Sequence, residues 1–259
     1  QSDHGMVAAM LPVINPASVQ DYIDFGLLGW AMSRYAGTWV GFTAVGDTVE
    51  SSASVLVDPH RIDINLPTDF EMPPGGLNIR WPDTALEQEA RLHDYKRYAV
   101  RAFARANNFD RIVIDSPRPR LGIITTGKAY LDVRQALADL GIDDDRAAEI
   151  GIRVYKAGMP WPLERSGARA FAEGLEEVLV IEEKRAVIEN QLKEQLYNWR
   201  ADVRPRVVGK FDEAGQLLCP SDGELSPGQI ARIIISRIGS YVPSPTIEER
   251  MAQLDRKEA

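Results

Sequence analysis

Several short stretches of this chain carry side chains that could do chemistry. Gln1-Ser2-Asp3-His4 sets a hydroxyl, a carboxylate and an imidazole side by side, a combination able to move a proton. On residue types alone, it reads as a polar loop. Gly122 to Ala129, GIITTGKA, fits most of the phosphate-loop pattern G-x-x-x-x-G-K-[ST]. The final position fails, because Ala129 has no hydroxyl to offer a magnesium ion. Ile123-Ile124-Thr125 also continues a strand where such a loop would wrap phosphates with its amides. What remains is Thr126 as a helix N-cap, worth about 1 kcal/mol. First-turn amides can hold an anion, so Thr126 and Gly127 form a candidate anion site.

Other groups read more blandly. Glu182 and Glu183 close an apolar run, at the end of a strand where α/β sheets place ligands, yet a strand ending in charges reads as one that is surfacing. Glu189 and Lys193 are an i,i+4 pair in the stabilising orientation, expected on a solvated helix face. Trp161, between Pro160 and Pro162, sits in a stiff turn and reads as a packing anchor rather than a ligand platform. Cys219 has no histidine or basic neighbour in sequence to lower its pKa, which argues against a nucleophile.

The elements that must position these groups follow from periodicity. Leu121-Gly122-Ile123-Ile124-Thr125 is a short β-branched run of the buried-strand kind. From Ala129 the period becomes helical through Leu131, Val133, Ala136, Leu137 and Leu140, with Gly141 at the C-terminal cap. A strand passing through a tight turn into an amphipathic helix opens a parallel βαβ unit. The alternation continues with strand 152–156, helix 163–173, strand 178–182, helix 185–198 and strand 206–211. Ser226-Pro227 opens a helix to Ile238, and Thr246 caps a charged tail helix over 247–257.

Upstream, Ser18 caps a helix running to Tyr35, and 38–43 reads as a strand. Residues 47–82 lose regular pattern apart from a short strand at 54–57. Asp83 is expected to cap the longest helix, 84–107, followed by strand 111–115. The fold class is therefore α/β, with mostly parallel sheets and helices on both faces.

Composition narrows the function classes. The net charge of −8 over 259 residues argues against a nucleic-acid or anionic-membrane partner, since both reward a clustered basic face. One cysteine rules out a disulfide framework, a multi-cysteine zinc site or a cysteine-ligated iron–sulfur cluster within the chain. The three histidines, His4, His60 and His93, show no metal-ligand spacing. No run reaches the roughly 18 apolar residues of a membrane span. The sequence shows no basic-then-apolar leader and starts with Gln rather than Met, so the chain is expected to be a soluble, intracellular piece of a larger protein.

Four separated motifs add what spacing cannot. LNIRWPD (77–83), LGIITTGKAYLDVRQAL (121–137), KAGMPWPLE (156–164) and VIEEKRAVIENQLKEQLY (180–197) together resemble the indolepyruvate:ferredoxin oxidoreductase family, in its fused bacterial form. The resemblance implies an internal section of a much longer, cytoplasmic, homo-oligomeric enzyme. In such enzymes thiamine diphosphate attacks a 2-oxo acid, carbon dioxide leaves, electrons pass through [4Fe-4S] clusters to ferredoxin, and coenzyme A takes the acyl group. It further implies that residues 1–60 are the latter half of a thiamine pyrimidine-binding domain and 61–115 a linker with a long helix. Residues 116–240 would be a transketolase C-terminal-like domain and 241–259 a charged tail helix.

The departures from the family pattern matter as much. The glutamate that activates thiamine would lie upstream of Gln1. The GDG-type motif for diphosphate and Mg2+, and the cysteine clusters, are expected after Ala259. The resemblance thus implies a scaffold section binding no metal and no cofactor by itself, whose partners are the remaining domains. Gln1, Ser2, Asp3 and His4 resemble the loop near the thiamine site and are the only residues carried over as site-adjacent. The alternative is a free-standing α/β ligand-binding or interaction module, with a nucleotide at Thr126-Gly127.

Overall fold

The computed structural model describes residues 2–258. They form two compact units: the chain up to Asp110 with Ala157–Gly167, and Arg111–Lys156 with the chain from Ala168.

The first unit opens with α1 (Ser2–Ala8), where a polar loop was expected. The helix is held by packing that the local residue types do not announce. A Cβ on Gly41 would lie 2.2 Å from the Met6 sulfur, so the glycine is what lets α1 settle on the neighbouring strand. β1 (Val13–Ile14), α2 (Val19–Ala36) and β2 (Gly41–Phe42) follow, the strands pairing in parallel. Ser18 caps α2 by accepting from the Asp21 amide at 3.2 Å. Gly37 ends it at φ +61, where a Cβ would come within 2.4 Å of the Leu77 carbonyl oxygen. The expected strand 38–43 contracts to two residues because only Gly41 and Phe42 find a partner strand.

After α3 (Gly46–Val49), residues 50–84 form no helix or strand. The strand expected at 54–57 is absent: Leu56 and Val57 are 64% and 79% exposed, and the Leu56 amide donates to the Gln20 side chain. The long helix comes in three parts, α4 (Ala85–Arg91), a π-helical turn (Leu92–Lys96) and α5 (Arg97–Ala106). Its cap is Thr84, one residue later than expected, in a reciprocal capping box with Glu87. Phe25, Leu28, Met32, Phe103, Phe109 and Met159 are central to this unit's core.

The second unit contains β3 (Arg111–Ile114), β4 (Leu121–Thr125), α6 (Gly127–Asp139), α7 (Asp144–Ile150) and β5 (Ile152–Lys156). Then come α8 (Arg165–Ala172), β6 (Glu177–Ile181), α9 (Ile188–Leu196), β7 (Arg206–Val208), α10 (Pro227–Ile238) and α11 (Pro245–Glu258). The sheet order is β3-β5-β4-β6-β7, all parallel except β3, which pairs antiparallel with β5. α7 has no counterpart in the periodicity reading, being short and charged. It is defined instead by its ends, an Asp143 cap and Gly151 at φ +90.

All five residues of β4 are buried. Leu121 and Ile123 join a core with Val133 and Leu137 of α6 and Ile230 and Ile234 of α10. Gly122 faces the other way, where a Cβ would meet Leu175 at 2.3 Å and Phe171 of α8 at 2.7 Å. The sheet is thus covered by helices on both faces, as in α/β proteins generally.

That contact gives a test. Gly122→Val should destabilise the protein by about 1–3 kcal/mol through overpacking, read as a lower urea midpoint with an unchanged m-value.

Candidate functional site

From β4 the chain adds β5 on one side, then crosses back to add β6 on the other. Where the direction of winding reverses, the loops leaving the two strands part and leave a crevice outside their carboxyl ends. Here the reversal, and so the position such a crevice would take, falls between the ends of β4 and β6. Thr125, Thr126 and Gly127 leave one wall, and Glu182 and Glu183 the other.

On the β4 wall, Gly127 has φ +54, a conformation that explains the glycine in the strand-to-helix turn. Thr126 occupies the N-cap position of α6, but its side chain makes no cap hydrogen bond, contrary to the cap role read from sequence. The α6 amides therefore depend on other acceptors. Next to Thr125 in register stands Lys156 at the end of β5, only 3% exposed. Its ammonium lies 5.0 Å from the Tyr130 ring centroid, and Lys128 pairs with Asp132 at 3.0 Å.

On the β6 wall, Glu182 does not surface; it is 3% exposed. Its Oε2 accepts from the Val187 and Ile188 amides at 3.0 and 2.9 Å, and its Oε1 from the Glu189 amide at 3.0 Å. Glu182 thus caps α9 from the preceding strand. Burial pushes its carboxyl above the usual range, against the pull of those amides and of Lys210.

Glu189 is likewise buried, correcting the solvated-face reading. Its Oε2 accepts from the Lys210 amide at 2.9 Å, and its Oε1 from Lys193 Nζ at 2.6 Å. Lys210 in turn donates to the Glu182 carbonyl at 2.6 Å, and burial lowers its pKa. Burial pushes the Cys219 thiol up to about 12, which keeps it protonated and poorly nucleophilic.

The other sequence-predicted group lies in the first unit, separate from this crevice. Gln1 is outside the described residues. Ser2 is exposed at the start of α1. Asp3 accepts from the Thr43 hydroxyl at 2.9 Å, and His4 Nε2 is enclosed without a hydrogen-bond partner. The structure therefore does not bring Ser2, Asp3 and His4 into one unit with Thr126 and Gly127.

Sequence reasoning missed a further carboxylate pair. Asp110 follows the helix pattern and carries no motif, yet its Oδ1 accepts from the Met159 amide at 2.9 Å and its Oδ2 is shut off without a partner. Burial, opposed by the Met159 amide and assisted by the charge of Glu164, pushes Asp110 up to about 7. Glu164 itself is 3% exposed and accepts from Arg105 at 2.6 Å and from the amides of Ser166 and Gly167. The only signal for either was a carboxylate flanking an apolar run.

Residues 110–259 match the family model described as the indolepyruvate ferredoxin oxidoreductase middle domain. The chain belongs to that family. Indolepyruvate oxidoreductase subunit IorA of Pyrococcus abyssi is 29% identical over 191 residues, which cover 71% of this chain and 28% of that relative. The corresponding subunit of Methanothermobacter thermautotrophicus is 28% identical over 218 residues, covering 79% of this chain and 31% of that relative. The chain thus spans under a third of the length of these relatives. Among solved structures, the 2-oxoglutarate:ferredoxin oxidoreductase from Magnetococcus marinus, with 2-oxoglutarate, coenzyme A and succinyl-CoA bound, aligns with a TM-score of 0.52. That alignment has 14% identity and covers 88% of this chain and 42% of that one, a likeness of fold.

Two variants test the electrostatics. Glu182→Ala leaves three amides without their charged acceptor and should cost about 1.5–3 kcal/mol or more, measured by urea unfolding, whereas an exposed solvated glutamate would cost almost nothing. For Asp110, the folded state holds a proton that the unfolded state releases near pH 4. Stability from this group is therefore present at low pH and lost as pH rises through about 7. Relative to wild type, Asp110→Asn should gain stability between pH 5 and pH 8, and a constant difference would refute the shift.

Proposed function

We propose that this chain is a section of a thiamine diphosphate-dependent 2-oxo acid:ferredoxin oxidoreductase of the indolepyruvate type, which oxidatively decarboxylates its substrate to an acyl-CoA. The family assignment of residues 110–259 carries this reading. On it, the section supplies scaffold and site-adjacent residues rather than a complete catalytic set. Residues 1–60 form the latter part of the pyrimidine-binding domain, and 116–240 the transketolase C-terminal-like domain.

The residues present do not fit the metal cofactors. A single protonated thiol cannot ligate a [4Fe-4S] cluster, which takes several thiolates. Among the described residues no group of three histidine, cysteine, aspartate or glutamate side chains could hold a metal ion. On this reading thiamine diphosphate, Mg2+, the clusters and the coenzyme A site are supplied with the remaining domains of a homo-oligomeric parent, as is docking of ferredoxin. No described helix is long and apolar enough to cross a membrane.

What this chain's own residues contribute is placement. The pairing of Asp3 with Thr43 fixes the start of α1 on the segment that follows β2, and so sets where the enclosed imidazole of His4 is held. Its Nε2, unmatched among the described residues, is the group available to exchange a proton with whatever the parent brings beside it.

Purified alone with thiamine diphosphate, Mg2+ and indolepyruvate, the chain should show no decarboxylation; measurable turnover would overturn the scaffold reading. In the full-length, cofactor-loaded parent, His4→Ala should lower decarboxylation by about 10²–10⁴-fold with little change in melting temperature. Unchanged turnover would remove His4 from the site.

A further inference from the structure

The π-helical turn at Leu92–Lys96 inserts an extra residue into the long helix and re-aims everything after it. Such turns are rare and concentrate at functional sites. What it re-aims is a stripe of arginines, Arg97, Arg101 and Arg105, spaced four apart along α5.

That stripe runs beside the segment 161–165. Arg97 lines a narrow cleft with Trp161 and Pro162, and Arg105 Nη1 meets Glu164 Oε1 at 2.6 Å. Arg165, the next residue, opens α8 and is exposed. The charges do not balance. Arg105 is shared between Glu164 and Asp69, and Glu164 is further committed to the Ser166 and Gly167 amides. Arg97, Arg101 and Arg165 have no ion pair among the described residues, although the chain as a whole carries a net charge of −8.

The Nε atoms of Arg97 and Arg101 are, in addition, shut off from solvent with no acceptor. Burial, with the like charges of Arg97 and Arg165, depresses the Arg101 pKa. Charged donors left out of water without acceptors are costly, and here two of them stand beside a third, exposed guanidinium of the same charge. An outside acceptor with several oxygens would relieve it.

We infer that Arg97, Arg101 and Arg165 form a binding site for a phosphate-bearing small molecule, enclosed on the α5 side and open at Arg165. Planar guanidinium forks match phosphate oxygens two at a time, which a lysine cluster would not do. None of these arginines belongs to the residue sets Thr125–Gly127, Glu182–Glu183 or Ser2–His4 described above.

Calorimetric titration of the whole chain with inorganic pyrophosphate, at ionic strength held constant with sodium chloride, tests this. Saturable one-to-one binding is expected, weakened by roughly tenfold or more in R101Q and in R165Q. Arg101→Lys should weaken it less, and R200Q, at an exposed arginine paired with Asp202, should leave it unchanged. R165Q, at an exposed position, carries the test should R101Q fail to fold as judged by circular dichroism. No saturable heat at matched ionic strength, or wild-type binding in both glutamine variants, would overturn the site. So would loss of self-association in R101Q without phosphate binding, since the acceptor would then be a carboxylate of a second copy.

Discussion

Burying both faces of β4 is the constraint from which the second unit follows. A strand with Leu121, Ile123 and Ile124 fully enclosed must be flanked in the sheet and roofed on each side, so helices are required above and below. Polar groups are then pushed to the strand ends, where they must satisfy one another without much help from water. At the carboxyl edge they do so in a closed circuit. Glu182 takes three amides of α9, Glu189 takes the amide of Lys210, and Lys210 returns a bond to the Glu182 carbonyl. Each member costs solvation to bury, and each is compensated only while the others hold position.

This circuit fixes what the crevice offers a ligand. On the β6 wall Glu182 is committed to its own helix cap, while Glu183 Oε1 beside it is enclosed without a partner. The β4 wall is different in kind, with a glycine turn, a threonine that caps nothing and a buried lysine one strand away.

Much of the second unit was legible because its signals are local. β-branched runs at 121–125, 152–156 and 178–182 and the helical stripes between them depend on residues close in sequence. Most of the misreadings came from contacts at long range. Glu189 looked like a surface i,i+4 partner because nothing nearby in sequence reveals that Lys210 would bury it. Residues 2–8 looked like a loop because the glycine that accommodates their helix lies at position 41. Thr126 carried a cap's residue type, but the left-handed turn at Gly127 sets a backbone path in which that side chain forms no cap bond. Asp110 showed no motif, because its character comes from residues 158–164.

The excursion of residues 157–167 into the first unit, between β5 and the body of α8, has a consequence for how the protein is made. β1 bonds to this excursion, its Val13 amide reaching the Trp161 carbonyl at 2.7 Å and the Asn15 amide reaching Gly158 at 2.9 Å. A ribosome emitting the chain therefore releases most of the first unit long before the piece that closes it. During that interval β1 has an open edge, and the first three strands of the second sheet are already emerging. The two units are interlaced in synthesis order, so the first is complete in the emitted chain only after three strands of the second have appeared, and the second only after the first is complete.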